Sequence, residues 1–103
     1  ISHDTVYKAV LTMKKDEPSI SRLKINGSVV EYDPHTGILK MEDEQITIGS
    51  YVKQISLIVD KNILEVGLSG DIMIGVYKLN ESNSQFAYEI PESAQIQLFE
   101  MEK

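Results

Sequence analysis

Apolar residues recur at every second position along much of this chain, the spacing typical of β-strands. The clearest case is the stretch 55–79, which opens with Ile55, Leu57 and Val59 in alternation with other residues. Successive side chains of a strand point to opposite faces of a sheet, so this spacing predicts a strand with one buried face. We therefore expect Leu57 in the core.

Turn signals divide the chain into about nine or ten short strands. Asn26-Gly27 is the strongest, because both residues tolerate the positive φ of a two-residue hairpin turn. A second turn is predicted at 33–37, where Pro34 fixes φ and Gly37 supplies a conformation that other residues avoid. The predicted strands are 6–13, 20–25, 28–32, 38–41, 45–52, three within 55–79, 86–90 and 94–101.

Many short strands with regular turns and no long helical period predict an all-β, antiparallel two-sheet β-sandwich. The segment 6–13 would also fit a short helix, because several of its residues are good helix formers. The 103 residues suit one domain, 1–103.

The strands between positions 63 and 76 carry apolar residues on both faces. These residues are Ile63, Leu64, Val66, Leu68, Ile72, Met73, Ile74 and Val76. A sandwich buries only one face of each sheet, so a further surface should cover the other. We expect that cover to be a neighbouring domain or a second copy of the chain.

Composition excludes several classes of function. The net charge is −6, from 16 acidic and 10 basic residues, which disfavours binding to nucleic acid and to anionic membranes. No apolar run reaches the roughly 20 residues of a membrane-spanning helix. The absence of cysteine excludes disulfides and thiolate metal sites and is compatible with a cytoplasmic location.

Few residues are candidates for chemistry. His35 lies in a turn and His3 near the start of the chain, and neither has a carboxylate at metal-ligand spacing, so we expect surface residues and no metal or cofactor. Asp60 and Glu65 could form the carboxylate pair of a glycosidase. The simpler interpretation is that Asp60 forms the turn and that Glu65 faces solvent or pairs with a residue on the neighbouring strand.

The aromatic residues suggest a core more than a sugar platform, because tryptophan is absent. We expect four of them to be at least partly in the core: Tyr32, Tyr51, Tyr77 and Phe99.

The stretch 55–79 also carries a family resemblance. It contains Val59-Asp60-Lys61, then Leu64-Glu65-Val66, then Gly70. This order resembles the C-terminal β-sandwich of glycoside hydrolase family 32, which has Val-Asp-Arg, a turn, Val-Glu-Val and a glycine-containing hairpin. The chain departs from that pattern at Gly67, where the family usually has Phe, and at Ser69, where Asn is common.

The resemblance implies a non-catalytic accessory domain of a β-fructofuranosidase, invertase or sucrose-6-phosphate hydrolase. The family's catalytic motifs, Asn-Asp-Pro, Arg-Asp-Pro and Glu-Cys, lie in a β-propeller and have no counterpart here, so no catalytic residue carries over. Asp60, Lys61, Glu65 and Gly70 would be structural residues of the hairpin. The implied partners are the propeller of the same polypeptide and a possible second copy. The alternatives are a free-standing carbohydrate-binding or adhesin-type sandwich and an assembly protein.

Overall fold

A computed structural model describes residues 6–14, 19–69, 72–81 and 85–101. The described part of the chain is built of strands: β1 Val6–Thr12, β2 Ser21–Ile25, β3 Ser28–Asp33, β4 Ile38–Met41, β5 Glu44–Thr47, β6 Gln54–Asp60, β7 Ile63–Leu68, β8 Ile72–Lys78, β9 Phe86–Glu89 and β10 Gln95–Met101. The prediction of an all-β chain is confirmed, and the segment 6–13 is a strand and not a helix.

The strands form two antiparallel five-stranded sheets packed as a sandwich. One sheet, called here the β1 sheet, has the order β10-β1-β6-β7-β8. The other, the β3 sheet, has the order β5-β4-β3-β2-β9. The chain changes sheet after β1, after β5, after β8 and after β9, so the core lies between segments that are far apart in sequence.

The inner face of the β1 sheet follows the alternation predicted from the sequence. Ala9 on β1 pairs with Leu57 on β6, which pairs with Val66 on β7, and all three side chains are buried. Leu57 is only 1% exposed, so the predicted register is confirmed. Burying such side chains from both sheets against each other is the main source of the sandwich's stability.

The two predicted turns of the β3 sheet have the expected backbone. Asn26 and Gly27 have φ of 45° and 78°, and Ile25 pairs with Ser28 directly across them. Gly37 has φ of 75°, and a Cβ there would lie 2.5 Å from the backbone of Gly49. Positive φ and this close approach both require glycine at position 37.

The aromatic residues divide between core and surface. Tyr32 is 1% exposed and Tyr77 packs against the core. The prediction of core positions is wrong for Tyr51 and Phe99, which are 42% and 47% exposed. Phe99 pairs with Lys8, and this register places it on the outer side of the β1 sheet. Tyr51 lies in the loop before β6, which the alternation pattern does not describe.

Candidate functional site

The residues of the family motif lie on and beside the β6–β7 hairpin. Asp60 is the exposed last residue of β6, and Lys61 turns the chain with φ of 56°. Glu65 is half-buried in β7. Gly70 lies outside the described residues.

The two carboxylates share the outer face of the β1 sheet. Asp60 pairs with Ile63, and Glu65 pairs with Ile58, so Asp60 and Glu65 are diagonal neighbours on adjacent strands. Such positions lie about 7–8 Å apart. They stand on an open sheet face and not in a cleft that could enclose a sugar ring. Their positions fit the expected turn and surface roles.

The outer face of the β1 sheet is the most distinctive surface of the described structure. One row crosses all five strands, from β10 to β8, and consists of Phe99, Lys8, Ile58, Glu65 and Val76. The two charged residues occupy the strands on either side of the central strand β6. The remaining three positions are apolar, and Val76 at the sheet edge is 56% exposed.

A second row runs beside the first. It contains Gln97, Val10, Ser56, Gly67 and Met73. Val10 is buried and Met73 is 54% exposed. A shift of register between Val66 and Gly67 accompanies the missing side chain at position 67. A shallow depression of about 50 Å³, lined mainly by apolar surface, lies here beside Ile58, Glu65 and Met73.

The outer face of the β1 sheet therefore exposes apolar residues of the 63–76 strands among isolated charges, and its cover by another surface stays a prediction. In addition to the two rows, Ile63 on β7, which pairs with Asp60, is 39% exposed on this face. Exposed apolar surface that is continuous over several strands usually marks a contact with another protein surface.

The outer face of the β3 sheet has a different character. Arg22 on β2 lies opposite Glu31 on β3, and its Nε donates to Oε1 of Glu31 at 2.6 Å. Glu89 on β9 lies on the other side of Arg22, with its Oε2 4.0 Å from Nη1 of Arg22. Lys24 on β2 and Lys40 on β4 are also exposed. Charges of both signs on adjacent strands are typical of a solvated face.

His35 belongs to a corner at one end of the β3 sheet. It is exposed, as expected for a turn residue, and its Nδ1 lies 3.1 Å from the hydroxyl of Tyr51. The two rings also meet edge to face at 5.8 Å. The hydroxyl of Ser50 donates to the His35 carbonyl at 3.1 Å. These contacts hold the 33–37 turn against the loop before β6.

Tyr32 supports the same corner from inside. Its hydroxyl donates to the carbonyl of Gly49 at 2.7 Å and accepts from the backbone N–H of Val52 at 2.9 Å. Burial raises the pKa of Tyr32, so the hydroxyl stays protonated and can donate. Tyr51 has φ of 54°, a conformation that costs energy for a side chain of this size. The corner therefore holds the 33–37 turn in a fixed position against the loop before β6.

Sequence reasoning missed the role of Asn26, which connects the two sheets. Its side chain is 1% exposed, and Nδ2 donates to the carbonyl of Lys61 at 2.5 Å. Its Oδ1 accepts from the backbone N–H of Gln85 at 3.0 Å. Its carbonyl accepts from the N–H of Glu81 at 2.9 Å. The Asn-Gly pair signalled a turn, but no pattern in the sequence indicated that the asparagine would reach a second hairpin.

A broader depression of about 540 Å³ lies at the connection from β9 to β10. Its lining includes Tyr88, Glu92, Gln95 and Gln97. Tyr88 is 56% exposed, and its ring packs against that of Phe86 with the ring centroids 6.1 Å apart. An exposed aromatic ring beside amide and carboxylate groups has the chemistry that can stack on a sugar and hydrogen-bond to its hydroxyls.

Among the described residues, no cluster of three or more His, Cys, Asp or Glu side chains could hold a metal ion. In the same part of the chain, no helix is long and apolar enough to cross a membrane.

Comparison with known proteins finds no family model, no curated protein and no solved structure that matches the chain.

Proposed function

We propose that this chain is a non-catalytic β-sandwich module of a family-32-like β-fructofuranosidase, possessing a contact surface and no active site of its own. The apolar outer face of the β1 sheet carries the proposal. A module that works by packing against another folded surface needs such a face, and the module's role is then to complete and stabilise the larger enzyme.

The β6–β7 hairpin supports the connection to this family. Its motif residues 59–61 and 64–66 occupy the end of β6, the turn and the middle of β7, as the resemblance implies. Gly67 is the main departure, since the family usually has Phe there. In this chain the glycine leaves a depression on the outer face, so the partner surface should differ in shape from that of other members.

The first test is enzymatic. The purified chain should release no fructose from sucrose, sucrose 6-phosphate, inulin or levan. Fructose release that a point change within residues 1–103 abolishes would refute the proposal.

The second test is genetic. The complete reading frame should encode an upstream β-propeller with an Asn-Asp-Pro motif. A reading frame that encodes this sandwich alone would contradict the accessory role and favour a free-standing module in the cytoplasm or elsewhere.

The depression at Tyr88 favours one alternative, a free-standing carbohydrate-binding module. Fructo-oligosaccharides added to the ¹⁵N-labelled chain should then shift the amide resonances of β9 and β10, and Tyr88→Ala should abolish the shifts. The matched control is Tyr51→Ala, which changes an exposed tyrosine in the loop before β6. Absence of shifts at millimolar sugar in the wild-type chain would exclude this alternative.

A further inference from the structure

The charges on the outer face of the β1 sheet are arranged as a two-fold symmetric contact would require. Along the central row, Lys8 lies on one side of Ile58 and Glu65 on the other. An exposed apolar residue closes each end, Phe99 on β10 and Val76 on β8. The row is therefore apolar, basic, apolar, acidic, apolar, with opposite charges at equal distances from the central strand.

We propose that this face binds a second copy of the chain, about a two-fold axis that runs parallel to β6 over Ile58. In a two-fold interface the same patch serves both partners, so residue i meets residue j and residue j meets residue i. Rotation about this axis exchanges β1 with β7 and β10 with β8. Lys8 of each copy then faces Glu65 of the other, and Ile58 packs on its own equivalent.

The other positions of the face are compatible with this axis. Phe99 of each copy meets Val76 of the other, which pairs two exposed apolar residues. In the second row the axis passes over Ser56 and brings Val10 to Gly67. Gly67 has no side chain and lines the depression on this face, which lets the two sheets approach each other there. Packed sheets lie about 10 Å apart with strand directions within about 30° of each other, and a two-fold axis along β6 satisfies both conditions.

Among the described residues of this face, Asp60 is the position at which the two-fold brings like charges towards each other. It is exposed at the end of β6, beyond Ile58, where water screens the charges. Lys8 already interacts within its own chain, so Glu65 of the second copy adds a partner and does not supply the first.

The size of the face sets the expected strength. Five strands about 4.8 Å apart and about 20 Å long present about 500 Å² per copy. The total of about 1,000 Å² is at the lower limit for a specific interface. We therefore expect a reversible dimer whose population depends on concentration.

The inference rests on the proposed function, because it names the partner of the same contact surface. Sedimentation velocity of the full chain over an about hundredfold range of concentration measures the dimer directly. Ile58→Asp places two carboxylates on the axis and should weaken the dimer at least about tenfold. Circular dichroism checks that each variant keeps the sheet content of the wild type.

Charge exchange tests the axis itself. Lys8→Glu and Glu65→Lys should each weaken the dimer about tenfold, because like charges then meet twice, and the double exchange should restore most of the affinity. Lys40→Glu is the matched control: it makes the same change of charge on an exposed strand position of the β3 sheet. Lys40→Glu should leave the dissociation constant of the dimer at its wild-type value.

Three results would overturn the inference. These are a wild-type chain that remains monomeric at about millimolar concentration, a dimer that Ile58→Asp does not weaken, and a double exchange that does not recover the loss of its single variants. Activity is a separate readout. A monomer that releases no fructose rejects the dimer and leaves the accessory role, whereas fructose release rejects the proposed function whatever the oligomeric state.

Discussion

The two sheets of this sandwich share one core but face their surroundings differently. The outer face of the β3 sheet has a mixed set of charges, including Arg22 between Glu31 and Glu89. The outer face of the β1 sheet has Ile58, Met73, Val76 and Phe99, with only isolated charges among them. Both faces point away from the shared core, so the difference between them lies outside the packing that holds the two sheets together.

Apolar residues on the inner and outer faces of the sheets contribute to different processes. Inner residues stabilise the fold because folding removes them from water. Outer residues such as Met73 and Val76 gain little from folding alone, since they remain more than half exposed in the single chain. Their contribution should appear when another surface covers the sheet. Comparing substitutions on the two faces, and on the two sheets, separates folding from association.

The largest effect should come from the inner face. Leu57→Ala should lower the free energy of unfolding by about 2–5 kcal/mol, because it leaves a cavity in a fully buried site. Ile58→Ala, one residue along the same strand but on the outer face, should cost about 1 kcal/mol or less. Urea denaturation of both variants gives the comparison. Similar losses for the two would show that the outer face is covered within the single chain.

The link between the sheets should be nearly as sensitive. Asn26→Ala removes the bonds to Lys61 and Gln85 and leaves their backbone groups unsatisfied. We expect a loss of about 2–4 kcal/mol in the free energy of unfolding. Asn80→Ala is the matched control, because Asn80 is exposed and its side chain donates only to Gly27 among the described residues. Equal losses would mean that the asparagine at 26 serves only its own turn.

Tyr7 allows a test by pH. Burial raises the pKa of Tyr7 to about 12, from about 10 in an unfolded chain. The unfolded chain therefore releases this proton first, and the stability present below pH 10 should fall by about 2–3 kcal/mol as the pH rises to 12. Tyr7→Phe should lack this part of the alkaline loss. Denaturation midpoints between pH 9 and 12 for both proteins measure it.

The same substitution has a second expected outcome at neutral pH. The hydroxyl of Tyr7 is buried without a hydrogen-bond partner among the described residues. Removing it should leave the stability unchanged or slightly higher.

The control for the alkaline experiment is Tyr88→Phe, whose ring is exposed and which should retain the wild-type alkaline loss. A Tyr7→Phe protein with the full alkaline loss would show that another group causes it.

The smallest effect should come from the charged face of the β3 sheet. Arg22→Ala removes an exposed ion pair with Glu31 and should leave the free energy of unfolding nearly unchanged. It should also leave the oligomeric state unchanged. A large change in either quantity would place a contact surface on the β3 sheet and reverse the contrast between the two faces.

The sequence alone determined the local structure well. Alternation placed Leu57 inside and Ile58 outside, and the Asn26-Gly27 pair located a hairpin, because both depend on neighbouring residues along one strand or turn. It also showed that the strands of 63–76 were apolar on both faces. Phe99 was misplaced because an edge strand with apolar residues in succession, Leu98 and Phe99, does not reveal which of them faces inward.

Only the tertiary structure decided which distant residues meet. Lys8 and Glu65 are far apart in sequence, and they flank Ile58 only because β6 lies between β1 and β7. The side chain of Asn26 also hydrogen-bonds to Lys61, and that of Tyr32 to Gly49, although neither pair is adjacent in the sequence. Strand order is set by the burial of whole faces and by backbone pairing between remote segments, which a local pattern of residues does not encode.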